Sequence, residues 1–330
     1  MANAAFSPRD FKAWIIEEAT PGTIPTITSG LYQLDVDSVS MPSLNVNQLL
    51  DVRTSTGRVL SSEDFFQDNK NRVTEVSLSG IFHKDIGHTM LLQNVCGASM
   101  GSVADVSLAY NATGVTGKYG TAQNDATFTL VLASPDTTDG FNLIVPGAMC
   151  TNFQISADST ADGGVYKFSA TIQSGRIPTL DDTTTEAGTA YTANPISIST
   201  LTTKKVYSAD VILSNFGVTI DSPAVYAGTS ANGYEAFTRG AEISVTATAQ
   251  SKYDSATRGF INSFDGQVAG GHDAADSFTM TQSTATDCSI DIPSAVLTNT
   301  ALSEGDIMMI DTELKAVNIG SGNVITFDLA

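Results

Sequence analysis

The chain has 330 residues, 42% of them hydrophobic and only 15% charged, with 16 Lys+Arg against 35 Asp+Glu and a net charge of −19. That length predicts about two domains, each able to bury a core, and Ser, Thr and Gly in place of charge suit turn-rich β-structure. An acidic field of this size repels phosphates and argues against ordinary nucleic-acid binding, and three scattered cysteines read as buried reduced thiols rather than a disulfide framework.

Residues 1–30 read as an N-terminal arm. Ser7 is placed to cap a helix with Pro8 at its first position, and Phe11, Trp14 and Ile15 at i, i+3, i+4 give that helix one apolar face before Pro21-Gly22 stops it. Ser7-Pro8-Arg9-Asp10-Phe11-Lys12 also interrupts any apolar core of a secretion signal. No run approaches the length that spans a membrane. The arm docks either on its own domain or on a neighbouring subunit.

A first unit, 31–177, begins with strands near 31–40 and 47–53. A polar excursion follows over 54–71, then a strand at 73–82 and a helix at about 87–96 with Met90, Leu91 and Val95 on one face. After a Gly/Thr/Asn-rich stretch (111–125) come a strand carrying Phe128, Leu130 and Leu132, a turn opening near Ile155, the reversal Asp162-Gly163-Gly164, and a strand alternating Tyr166, Phe168, Ala170 and Ile172 with polar residues. Residues 178–204 show no periodicity and read as a linker or irregular crossing. The second unit, 205–330, carries strands near 206–213, 216–221, 240–250, 277–281, 286–291, 307–315 and 323–329. Its helix, at about 254–264, puts Ala256, Phe260, Ile261 and Phe264 on one face.

The two units share a grammar. Val73-Thr74-Glu75-Val76-Ser77-Leu78-Ser79-Gly80 returns as Gly240-Ala241-Glu242-Ile243-Ser244-Val245-Thr246-Ala247, an offset of 167 that drifts to 169 through the following turn and helix. A strand, a polar turn and a short helix occur twice, which predicts an internal duplication.

Candidate chemistry is sparse. His83-x-Asp85-x-x-His88, where a strand hands over to a helix, has the residue types of a metal site, but its counterpart in the second unit has no histidine. His272 stands alone, and Asp35-x-Asp37 lies in an alternating strand. No GxSxG, P-loop, dinucleotide Gly motif or HExxH occurs. The expectation is a protein that is not an enzyme and needs neither cofactor nor metal.

This pattern resembles the tail tube (major tail) proteins of long, non-contractile bacteriophage tails. The resemblance is carried by the Phe6–Lys12 opening with Pro21-Gly22-Thr23, by Glu75–Gly80 feeding a helix, by Pro146-Gly147-Ala148 leading to Ile155, and by Tyr166–Thr171. It covers most of 1–175 and, through the repeat, 205–330; the second unit lacks a copy of the 54–71 excursion. The resemblance implies a duplicated, mainly β sandwich or barrel with short helices, whose strands join those of neighbours into an inner β-barrel around a channel. It implies homo-oligomeric rings, three chains preferred over six, stacked into a tube. It also implies tape measure, tail terminator and tail-tip partners, and double-stranded DNA that passes without specific binding. The setting would be the virion tail, assembled in the host cytoplasm. The polar faces of the copied strands make Glu75, Ser77, Ser79, Glu242, Ser244 and Thr246 candidates to face the channel, and Phe11, Trp14 and Ile15 candidates for an inter-subunit arm. Tandem Ig-like adhesin domains are the alternative reading.

Overall fold

The computed structural model describes residues 7, 10–42, 48–50, 65–67, 72–98, 100–110, 126–135, 141–182, 184–191, 195–240, 243–263, 275–282, 288–317 and 322–329. Most of the 54–71 excursion, the 111–125 stretch, Glu242, Phe264 and His272 lie outside them. The protein is mainly β, with eighteen strands among the described residues in one branched sheet.

The first unit contains β1 (Lys12–Glu17), β2 (Leu31–Leu34), β3 (Val36–Ser40), the small hairpin β4 (Gln48–Leu50) and β5 (Phe65–Gln67), and β6 (Thr74–Ile81). After helix α1 (Ile86–Cys96) come β7 (Val106–Tyr110), β8 (Phe128–Ala133), the 17-residue β9 (Asn142–Asp158), β10 (Lys167–Ser174) and β11 (Thr179–Asp181). Then follow β12 (Gly188–Thr189), β13 (Leu201–Val206), β14 (Ala209–Asp210), β15 (Leu213–Asp221) and the hairpin β16 (Ala224–Ala227)–β17 (Ala236–Arg239). The second unit continues with β18 (Ser244–Lys252), helix α2 (Arg258–Ser263), β19 (Ala275–Gln282), β20 (Ser289–Ser303), β21 (Met309–Ala316) and β22 (Gly322–Asp328).

Three sequence expectations are corrected. The segment 11–17 is a strand, not a helix: β1 lies between β2 and β8, with Ala13 and Ile15 on the main core and Trp14 on a second cluster with Leu31, Val131 and Ile144. A strand buried on both faces is apolar without alternation, and such a run also satisfies helical spacing. Phe11, Trp14 and Ile15 are therefore buried within their own chain rather than presented as an inter-subunit arm. The 178–204 crossing is tied down, with β11 on β9, β12 parallel to β2, and a 3-10 turn at Ile198–Thr200. Finally, among the described residues α2 begins at Arg258 rather than near 254, and it buries Phe260 while leaving Ile261 exposed.

Pairings recur between the halves. In the first, β2-β1-β8-β9-β10-β6-β3 are successive neighbours; in the second, β14-β13-β19-β20-β21-β18-β15 are. Irregularities recur with them. The β9–β10 register slips at Thr151, and the β20–β21 register slips at Thr298. The Thr151 hydroxyl donates to the Thr171 carbonyl at 3.2 Å, and the Thr298 hydroxyl donates to the Glu313 carbonyl at 3.1 Å. Slips at Asp37 in β3 and Ser214 in β15 also coincide. Bulges change strand twist and direction, so shared bulges mean shared curvature. Matching β10 to β21 aligns Ser77 with Thr248 and Glu75 with Thr246, an offset of 171 rather than 167. The four-residue difference is even, so it leaves the faces of the strand unchanged.

The halves interlock. β9 pairs with β15, β7 pairs with β22, and one core cluster runs from Phe11 to Leu329. Arg239, buried on β17, donates to the Ser222 carbonyl at 3.1 Å, the Asn94 carbonyl at 2.8 Å and the Cys150 carbonyl, so it pins the β16–β17 hairpin to α1 and β9.

Candidate functional site: a polar face across eight strands

One path through the sheet runs β3-β6-β10-β9-β15-β18-β21-β20, all antiparallel, with the β9·β15 joint at its centre. Successive side chains alternate faces. One face is core: Val76 and Leu78 on β6, Phe153 and Ile155 on β9, Val218 on β15, Val245 on β18 and Leu314 on β21 are all buried. The other face is mainly polar. Ser40 lies opposite Ser77, Ser77 opposite Thr171, and Thr171 opposite Asn152. Across the joint, Gln154 lies opposite Thr219, Thr219 opposite Thr246, and Thr246 opposite Lys315.

Of the residues expected to line a channel, Glu75, Ser77, Ser79, Ser244 and Thr246 all sit on this polar face; Glu242 lies outside the described residues. Glu75 is exposed and accepts a hydrogen bond from the Gln173 amide at 2.9 Å. Sequence reasoning missed most of the face. Asn152, Gln154, Ser156 and Asp158 lie on it in β9, which runs on past Ile155 to Asp158 where a turn was expected. Their alternation with Phe153, Ile155 and Ala157 was the available signal. The ionic groups on the face are Glu75, Asp158, Asp221, Asp311 and Glu313 against Lys167, Lys252 and Lys315, an acidic excess diluted among amides and hydroxyls.

No protein-family model matches this chain, and no curated protein matches it.

The two ends of the path are open. Among the described residues, the outer edge of β3 has no partner strand, nor has that of β20 beyond Val296. In the repeated register Leu302 of β20 takes the place of Ile155 of β9. Ile155, covered by β15, is 1% exposed, whereas Leu302 is 46% exposed. Leu302 points to the core side of a strand that lacks its cover.

The histidine cluster resolves into two structural pairs. His83 Nε2 lies 2.7 Å from Asp35 Oδ2, and His88 Nδ1 lies 2.8 Å from Asp85 Oδ1. His88 Nε2 accepts from the Asp35 backbone N–H at 3.1 Å, so both its nitrogens are occupied in joining α1 to the β2–β3 corner. Asp85 also caps α1 through the His88 N–H at 2.9 Å. Among the described residues no group of three or more His, Cys, Asp or Glu is arranged to hold a metal ion. Cys96 and Cys150, both fully buried, have thiols pushed up to about 12 by desolvation, with Arg239 opposing part of the shift. No described helix is long and apolar enough to cross a membrane.

Proposed function

We propose that this chain is a structural subunit of a ring, and that stacked rings form a phage tail tube through which genomic DNA passes. The observation that carries the reading is the eight-stranded path with two open edges and an internal joint of the kind those edges would form. In the proposed ring, β20 of one copy pairs with β3 of the next as β9 pairs with β15. Transferring the β9·β15 register sets Ser303 opposite Ser40 and Leu302 opposite Met41 of the adjoining copy. A head-to-tail contact of this kind closes into a ring or runs on as a fibre, and closure leaves no edge unpaired.

Eight strands per copy favour three copies. Twenty-four strands at ~4.8 Å each give a wall about 115 Å round and about 37 Å across before tilt widens it. Barrels of roughly 16–18 strands already enclose an aqueous channel, and six copies would double the width to about 73 Å. With the apolar side against the core, the polar side lines the channel. Among the described residues its five acids outnumber its three lysines, so the wall repels DNA weakly along the path and offers few of the cationic contacts that bind phosphate through counterion release. Tape measure, terminator and tip proteins would be the partners of such a tube.

The test is electron microscopy and mass measurement of purified protein at high concentration. Rings or tubes are expected, with a ring of three times 34.5 kDa, about 104 kDa. Leu302→Lys, placed where the side chain is exposed in the single chain, should leave the fold intact and the protein monomeric, because a charge at the counterpart of Ile155 bars the joint. A wild-type protein that stays monodisperse at high concentration would sink the reading, and six-chain rings would sink the trimer.

A further inference from the structure

We infer that the turn between β20 and β21, at Ile307 and Met308, is a docking site for the segment around Ser7 of a second copy of this chain. The inference rests on the ring reading and assigns a contact that strand pairing alone does not require.

The corresponding turn of the first unit shows what is missing. At the β9–β10 tip, the Tyr166 carbonyl accepts from the Phe82 N–H at 2.9 Å, and the Tyr166 N–H donates to the Ile196 carbonyl at 2.7 Å. Val165 faces Ser197 across an antiparallel bridge. Ile198 lies so close over Gly164 that a Cβ there would stand 2.4 Å from its methyl group. The segment Ile196–Ile198 thus covers the tip, and Tyr166 is fully buried. In the second unit the Met308 carbonyl accepts from the Tyr253 N–H at 3.0 Å, which identifies Met308 as the counterpart of Tyr166 and Ile307 as that of Val165. Ile307 is 62% exposed and Met308 is 46% exposed. Among the described residues no segment does for them what Ile196–Ile198 does for the first tip.

The segment that covers the first tip belongs to the following unit, because it runs directly into β13. Its counterpart runs into β1. The Thr200 N–H donates to the Ser197 carbonyl at 3.2 Å, and the Asp10 N–H donates to the Ser7 carbonyl at 2.9 Å. Each turn is followed by a buried apolar residue, Leu201 or Phe11, and then by a strand, β13 on β19 or β1 on β8. Ser7 is therefore the counterpart of Ser197, and Phe6 occupies the sequence position of Ile196. If β20 meets β3 of the next copy as β9 meets β15, the same operation brings that copy's Ser7 opposite Ile307.

The test is a disulfide between Ser7→Cys and Ile307→Cys. Residues opposed across an antiparallel bridge have Cα atoms within the roughly 4.4–6.8 Å that a disulfide spans, and the three native cysteines are buried. Val165→Cys with Ser197→Cys, the same pair inside one chain, is the positive control. Mild oxidation of the assembled Ser7→Cys/Ile307→Cys protein should give a covalent ladder ending at the full ring, with neither single variant doing so. In uncrosslinked protein, Ile307→Asp should raise the ring dissociation constant at least tenfold without lowering the melting temperature of the monomer. Particles of ring mass that give no crosslink, or only an intrachain one, overturn this inference and leave the ring standing. Failure of the wild-type protein to form rings removes both.

Discussion

Glu18 is the residue whose replacement tests the account of the first unit most sharply. Its carboxylate, 6% exposed, follows β1 and accepts four hydrogen bonds. One oxygen takes the Gly22 N–H at 2.6 Å and the Thr127 hydroxyl at 2.5 Å; the other takes the Thr129 hydroxyl at 2.6 Å and the Gly147 N–H at 2.8 Å. It joins the Pro21-Gly22 turn, β8 and the bend in β9, where Gly22 and Gly147 have φ of 75° and 62°. In Glu18→Gln one oxygen becomes an NH2 group. A threonine hydroxyl can turn and accept from it, but a glycine N–H cannot. Whichever way the amide sits, one buried backbone donor loses its acceptor, which costs about 1–3 kcal/mol, and the remaining bonds lose their charge assistance. Relief of carboxylate desolvation offsets little, because four donors already solvate the charge. The net loss is about 3 kcal/mol. Trp14, the chain's one tryptophan, lies in the adjoining strand and reports the event by fluorescence in urea. At a slope of about 3 kcal/mol/M the midpoint should fall by about 1 M. Glu17→Gln, at an exposed position one residue away, should shift it by less than about 0.2 M by the same relation. Equal midpoints for the two variants would refute the reasoning.

Two further outcomes follow from the core and from the polar face. Cys96 and Cys150 should resist alkylation at pH 8 in the folded protein and react on unfolding. Their thiols are raised from 9.0 to about 12, so stability is fully present below about pH 9 and should fall as pH rises toward 12, read by the urea midpoint; a flat profile across that window would contradict the burial. Glu75→Lys with Glu313→Lys should leave rings and tubes intact but make tubes retain DNA fragments in cosedimentation at low salt, with retention lost as salt rises. Retention equal to wild type at every salt concentration would remove the polar face from the channel wall.

Strict alternation made the β class legible in the sequence, because β6 and β10 each bury one face and wet the other. A recurring strand, turn and helix also pointed to a repeat, although its register was read four residues off. Glu75 and Glu242 match in type, but pairing with β10 and β21 matches Glu75 to Thr246, and only the partner strands could reveal that. β1 misled because burial on both faces erases alternation. β9 and β20 were cut short at Ile155 and near residue 291, although each runs on, to Asp158 and Ser303, with a bulge at Thr151 and Thr298 inside a single strand. The open edges were illegible in principle: Leu302 and Ile155 look alike as residues, and only pairing shows that one has a cover and the other does not.

Carrying two units in one chain gives the proposed ring two kinds of joint. The β9·β15 joint lies within a chain and is closed over by Ile196–Ile198, so its two sides meet at the high effective concentration of a tether. The joint between β20 and the next copy's β3 must overcome the loss of free translation and rotation on association. A trimer has three joints of each kind. Disassembly should therefore occur only at the second kind, releasing whole chains and never half-units. Three of the apolar groups exposed in the single chain, Leu302, Ile307 and Met308, would lie at that second joint, where burial on assembly would supply the driving force that the first joint obtains from its tether.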